Sequence, residues 1–359
     1  MTKKTKRDTI LTILLIIGMV IFLQVANTTF DSYEKQVLSL MAIYGIMAVS
    51  LNLVNGITGI FSLGHAGFIL LGAYTSALLT IPSEQKVAMF IIQPPSALIA
   101  NLHTDFFTAT IIGGLVAAFG AFIIGFPVLR LSGDYLAIAS LGFSEVLRIF
   151  ALNLQSITNG SLGLKGIPNY TNVWWSWGWL VVTVIFIVSL VKSSYGRALL
   201  AIRDNSIAAE AMGINVFKHT LLAFVISAFF AGVSGALYAH WLTTIDPRIT
   251  TFGPTLTYYV LIMVVLGGLG SISGSVVGAI LFAFLMEWLR VFEQPFTLFG
   301  KSFPAIQGMR MLVLSVLFVV TMIVWKRGIF GRSELTWEGI INFFKKFGSK
   351  KADERGVGK

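Results

Sequence analysis

Apolar stretches recur along the chain, and an uninterrupted stretch of about 20 such residues crosses the hydrocarbon core of a bilayer as a helix. Ten are centred near Ile17, Met47, Leu71, Leu115, Leu141, Ile185, Phe229, Met263, Phe284 and Leu317. The fifth and ninth contain or end in charge, and setting both aside leaves eight. The longest polar segments are Pro82 to Asp105, Lys192 to Lys218 and the tail after Lys326, so no soluble domain is expected. The pattern predicts an all-α integral membrane protein, with one membrane domain over residues 1–330 and a tail over 331–359. The N-terminus runs MTKKTKRDTI into an apolar stretch, as a signal peptide does. No A-x-A-like cleavage site follows and many further spans do, so it reads as a retained first span.

Composition agrees. Of 359 residues 56% are hydrophobic and 12% charged, roughly half the charged share of a soluble domain, and the mean hydropathy is +0.83. The net charge of +10 would suggest nucleic acid on a soluble protein, but its distribution gives it another meaning. With ten spans, 18 of the 26 Lys and Arg fall on the side of both termini, with half of the 16 acids. That side carries +10 and the other none, which makes it cytoplasmic by the positive-inside rule and leaves no reason to expect a nucleic-acid partner. In the tail, Trp337, Ile340, Ile341, Phe343, Phe344 and Phe347 share a broad face flanked by Lys345 and Lys346. This predicts an interfacial helix at anionic headgroups.

Catalytic and metal chemistry find little support. Cysteine is absent, the 4 His are dispersed without H-E-x-x-H spacing, and no G-x-S-x-G occurs. Glu145 and Arg148, like Glu287 and Arg290, are three residues apart on one helix face and can neutralise each other. Arg130 and Asp134 bracket a turn as anchors, and His240 beside Trp241 reads as interfacial.

Two turns share the pattern G-x-x-G-x-x-S, Gly56 to Ser62 and Gly267 to Ser273, but Gly72-Ala73 and Gly278-Ala279 downstream keep no common offset. They are either glycines at helix ends and close crossings or broken helices lining a pathway. His65, within Ser62-Leu-Gly-His-Ala-Gly67, is a packing element or part of such a path. Ser62, Gly64, His65, Gly67, Gly270 and Ser273 are the path candidates. On the outer side, segments 156–172 and 243–257 are rich in Gly, Pro, Asn and Thr and offer a surface to a partner.

The loop Ser193 to Lys218 exceeds a minimal helical connection of roughly 2–8 residues. SIAAEAM follows the cap-forming Asp204-Asn205-Ser206 and stops at Gly213. A helical turn, a break and a second short helix are expected, presenting Ile207, Ala211 and Ile214 to a groove on another protein, ringed by Arg203 and Glu210.

This loop, GRALLAIRDNSIAAEAMGIN, followed by LLAFVISAFFAGVSGALYAH, resembles the cytoplasmic loop and next span of ABC-importer permeases for branched-chain amino acids. SLNLVNGITGIFSLGHAGFILLGAY, RLSGDYLAIASLGFSEVLRI and VLGGLGSISGSVVGAIL are similar to the same family, and together they point to its LivM-type subunit. The resemblance implies a second, LivH-like permease, two ATPase subunits and an extracellular substrate-binding protein as partners. ATP-driven closure of the ATPases would turn the permease pair between inward- and outward-facing states. It also implies that the segment ending Glu210 to Gly213 docks the ATPase, with Arg203, Ala209, Glu210, Ala211 and Gly213 as coupling residues. No G-x-x-x-x-G-K-[ST] phosphate loop occurs, so no cofactor is expected in this chain, and ATP and Mg belong to the partner ATPases. Leucine, isoleucine and valine are the implied substrates, although related permeases carry urea or short amides. A stand-alone secondary transporter or channel is the alternative from topology alone, with a membrane-embedded enzyme third.

Overall fold

The computed structural model describes residues 3–131, 133–293, 296–298, 301–303, 308–324, 328–331 and 333–335. The helices in order are α1 (Lys3–Thr29), α2 (Ser32–Asn52), α3 (His65–Thr80), α4 (Ser83–Met89), α5 (Ala97–Ala100), α6 (Phe106–Val128), α7 (Asp134–Asn153) and α8 (Gln155–Thr158). They continue as α9 (Val173–Lys192), α10 (Ser194–Asp204), α11 (Ser206–Ala211), α12 (Val216–Leu242), α13 (Ile249–Phe252), α14 (Pro254–Gly267), α15 (Ile272–Trp288) and α16 (Met309–Val324).

All ten predicted centres fall within helices. Six helices are long and apolar enough to span on their own, and two pairs bent by 116° (α3 with α4) and 120° (α14 with α15) raise the total to eight. The difference from ten lies in α14 and α15, which together form one bent pair, and in α16, whose apolar run Met309–Thr321 is short. The glycine turn at 267–271 divides one apolar stretch into helices of 14 and 17 residues.

Helix α12 is the axis of the bundle, packed on α2, α3 and α6. Side chains here are small enough for backbones to meet. A Cβ at Gly72 would stand 2.1 Å from the Gly232 carbonyl oxygen, and one at Gly232 would stand 2.5 Å from Cβ of Ala117. Without a hydrophobic force between helices in lipid, such contact supplies the dispersion energy that holds them. The outward faces of α6 and α7 expose Leu115, Phe119, Ile123, Ile138 and Phe150, as a lipid-facing surface does.

The segments 156–172 and 243–257 meet. Strand β1 (Leu164–Lys165) pairs antiparallel with β2 (Thr244–Ile245), Leu164 opposite Ile245. Glu145 and Arg148 form the expected pair at 2.6 Å, and Arg148 Nη1 also donates to the Pro247 carbonyl at 3.3 Å, tying α7 to the same loop. Glu287 and Arg290 pair at 3.0 Å, and the Tyr33 hydroxyl donates to the same carboxylate. His240 departs from the interfacial reading. It is fully buried, with Thr80 Oγ1 2.7 Å from Nε2 and the Ala236 carbonyl 2.7 Å from Nδ1. The helix expected at Trp337 to Phe347 lies outside the described residues.

Candidate functional site

Both glycine turns are helix breaks. Helix α2 runs into a π turn (Leu53–Thr58) and stops at Gly59, at φ 79°. Residues 59–64 are then non-helical, and His65 opens α3 with Nε2 3.0 Å from Ser50 Oγ. Ser50 lies two helical turns back from Thr58, about 12 Å at 1.5 Å per residue, so the unwound segment doubles back into the bundle. Such backbone needs partners inside protein or water. The Asn55 carboxamide accepts from Ser62 N at 3.2 Å and donates to the Ser62 carbonyl at 3.1 Å, and Leu63 N donates to Ser140 Oγ at 3.0 Å.

The path candidates Ser62, Gly64, His65 and Gly67 therefore cluster, all buried, between α2 and α7. A Cβ at Gly64 would stand 2.7 Å from the Ser140 carbonyl oxygen and one at Gly67 3.0 Å from Ser144 Cα. Phe61 is the large apolar side chain that the unwound segment exposes. Gly270 and Ser273 belong to the second break, where Gly268 and Gly270 take φ 120° and 92° and Ser271 caps α15 by accepting from Gly274 N at 3.0 Å.

The two breaks touch. Asn52, fully buried, accepts from Gly270 N at 2.8 Å and donates to the Ser271 carbonyl at 2.9 Å. A Cβ at Gly56 would stand 2.3 Å from Gly270 N. Replacing Asn52 with leucine takes the partner from Gly270 N, at about 1–3 kcal/mol, while the Ser271 carbonyl keeps Ser275 N at 3.1 Å. The expected result is a lower unfolding midpoint in detergent than for the parent, whereas an unchanged midpoint would show that the amide does not hold the breaks together.

The loop reaches the same place. As expected, it forms a helix, a break at Asn205 and a short second helix, although α10 extends over 11 residues where one turn was predicted. Asn205 Oδ1 accepts from Ala208 N at 3.0 Å, and Gly213, at φ 84°, ends α11 with Ile214 N donating to the Ala209 carbonyl at 3.1 Å. Glu210, Ala211 and Gly213 are exposed, Ala209 is buried against its own chain, and Ile214 is half-buried. Ile207 and Met212 are 80% and 83% exposed. Arg203 turns the other way. Its Nη1 donates to the Gly56 carbonyl at 3.4 Å, its stem fills the space beside Gly59, and the same nitrogen would stand 3.3 Å from a Cβ at Gly270. A single side chain thus ties the exposed loop to the first turn and lies beside the second.

Asn52 and Asn55 escaped the sequence reading, though amides within an apolar span were a usable signal, since such a group is costly unless bonded. Met212 was readable as a large apolar residue beside the helix stop. Among the described residues no group of His, Cys, Asp or Glu is arranged to hold a metal.

Comparison with known proteins bears on this arrangement. Residues 33–324 match the family model for the permease component of the branched-chain amino acid transport system. The chain is 33% identical over 323 residues to the high-affinity branched-chain amino acid transport system permease protein LivM of Escherichia coli K12, covering 80% of this chain and 70% of that protein. It is 34% identical over 286 residues to LivM of Salmonella typhimurium LT2, covering 70% and 62%. The LivH permease of that same strain is 27% identical over 260 residues, covering 66% and 79%. No solved structure matches significantly. The apolar helical bundle and the matched residues agree, and the chain belongs to the LivM-type permease components of branched-chain amino acid ABC transport systems.

Proposed function

We propose that this chain is the permease subunit of an ATP-driven importer that brings leucine, isoleucine and valine into a bacterial cell. It pairs with a LivH-like permease, two ATP-binding-cassette subunits that carry the ATP and Mg, and an extracellular binding protein. The observation that carries this reading is Arg203, which ties the loop carrying the exposed Ile207 and Met212 to the Gly56 carbonyl, beside Gly270. Similarity to both LivM and LivH of one strain supports a paired permease.

In this reading both termini and the 193–218 loop lie in the cytoplasm, the side on which the excess of Lys and Arg falls. The tail lies along cytoplasmic headgroups. Arg203, Ala209, Glu210, Ala211 and Gly213 form the coupling element, with Ala209 acting through packing. Ser62, Gly64, His65 and Gly67 hold the unwound segment at the border of the path, and Gly270 and Ser273 shape the second break. The outer surface joined by β1 and β2 receives the binding protein.

Cells lacking this chain should lose ATP-dependent uptake of labelled leucine, isoleucine and valine, and regain it with the gene restored. Unchanged uptake would overturn the substrate assignment. Uptake that persists without ATP and follows an ion gradient would overturn the importer class in favour of a secondary transporter.

A further inference from the structure

Helix ends leave orphan backbone groups, and the second break has two such ends within four residues. Their partners come from beyond the last described helix. Ile329 N donates to the Leu266 carbonyl at 3.0 Å and Phe330 N to the Gly267 carbonyl at 3.1 Å, closing the end of α14. On the other side Glu334 takes the start of α15. One carboxylate oxygen accepts from Ile272 N at 2.6 Å, and the other accepts from Ser273 N at 3.0 Å and Ser273 Oγ at 2.7 Å. Ser271 Oγ lies 3.0 Å from the Ser333 carbonyl, and Leu335 N donates to Ser273 Oγ at 2.9 Å.

The segment formed by residues 328–331 and 333–335 therefore straps the turn from one side. Asn52 holds Gly270 and Ser271 of the same turn from α2, and Arg203 reaches it from the loop. A turn gripped at only some of its ends would yield when the loop moved. One gripped at all of them moves as a piece, and a carboxylate at a helix N-terminus is a favourable charged grip.

We propose that Glu334 is a positioning residue of the coupling joint: it fixes the α14–α15 turn against Asn52 and Arg203, so that displacement of the loop carries both breaks together. This rests on the coupling reading above. The serine–glutamate contacts lie outside the loop assigned to docking, so the two ideas fail separately.

The test uses the complete transporter in proteoliposomes, with binding protein and labelled leucine. Glu334→Ala should lower leucine taken up per ATP hydrolysed about tenfold, with the ATPase subunits co-purifying normally. Glu334→Gln should recover part of this ratio, because one amide oxygen can replace one carboxylate oxygen. An unchanged ratio in Glu334→Ala, or uptake and hydrolysis falling in parallel with loss of folded subunit in both variants, would overturn the proposal. The chain has no native cysteine, so Ser273→Cys with Leu335→Cys gives a second arm free of background. If strap and turn move as one piece, the oxidised and reduced forms of this variant transport equally. Arrest on oxidation with recovery on reduction would mean that the strap must let go, and would overturn the proposal. Should Ile207→Asp with Met212→Asp leave the ATPase subunits bound, the coupling reading itself fails. Should that pair dissociate them while Glu334→Ala behaves normally, only the role of Glu334 falls.

Discussion

Transporter carrying both Ile207→Asp and Met212→Asp should purify without its ATPase subunits and lose ATP-driven uptake, while the permease still folds. The two side chains, on α11 and just past its end, are 80% and 83% exposed beside alanines, Ser206 and Glu210. Burying an isoleucine or methionine stabilises by about 1.5–3 kcal/mol, so removing both weakens docking by roughly 10² to 10⁴-fold. Because neither side chain packs inside the subunit, the unfolding midpoint in detergent should match the parent. Glu210→Arg should act in the same direction with a smaller effect, since a rim charge contributes less than a buried anchor. Retention of the ATPase subunits by the double variant would remove α11 from the interface.

Gly72→Val should prevent the bundle from assembling. A Cβ at this position would lie 2.1 Å from the Gly232 carbonyl oxygen and 2.4 Å from Gly232 Cα, and a Cβ at Gly113 of α6 would lie 2.9 Å from the carbonyl oxygen of Gly72 itself. Overpacking a core costs about 1–3 kcal/mol when side chains can shift. Here the obstacle is backbone on a neighbouring helix, which cannot turn aside, so an effect above about 4 kcal/mol is expected. The measurement is the yield of monodisperse protein after detergent extraction. Gly142→Ala is the control, because nothing lies within 4 Å of a Cβ there. Equal yields would show that the crossing of α3 with α12 is looser than described.

Both effects were partly legible beforehand. The exposed loop helix followed from local signals, since Asn205 caps, Gly213 stops and the run between them is rich in the best helix former. Of the residues expected to face outward, Ile207 and Ala211 are exposed and Ile214 is half-buried, because a six-residue helix has too few turns to define an apolar face sharply. Ala209 faces inward and Met212 outward. The G-x-x-G-x-x-S turns marked both breaks, yet left open whether they were ordinary helix ends. Gly59 ends its helix in the left-handed conformation that commonly stops one, whereas the second turn, with Gly268 and Gly270 at positive φ, divides a helix pair bent by 120°.

Hydropathy and charge depend on summed composition, so the sequence by itself determined that the chain is a helical membrane protein, where its apolar stretches are centred and where its loop helix begins and ends. Contacts between residues 62 to 218 positions apart leave no periodicity to read. Asn52 on Gly270, Arg203 on Gly56 and Glu334 on the start of α15 were decided only by the tertiary structure. The physical reason is that a broken helix exposes backbone donors and acceptors that must be satisfied inside the bundle. Only the folded chain reveals which distant side chain arrives to satisfy them.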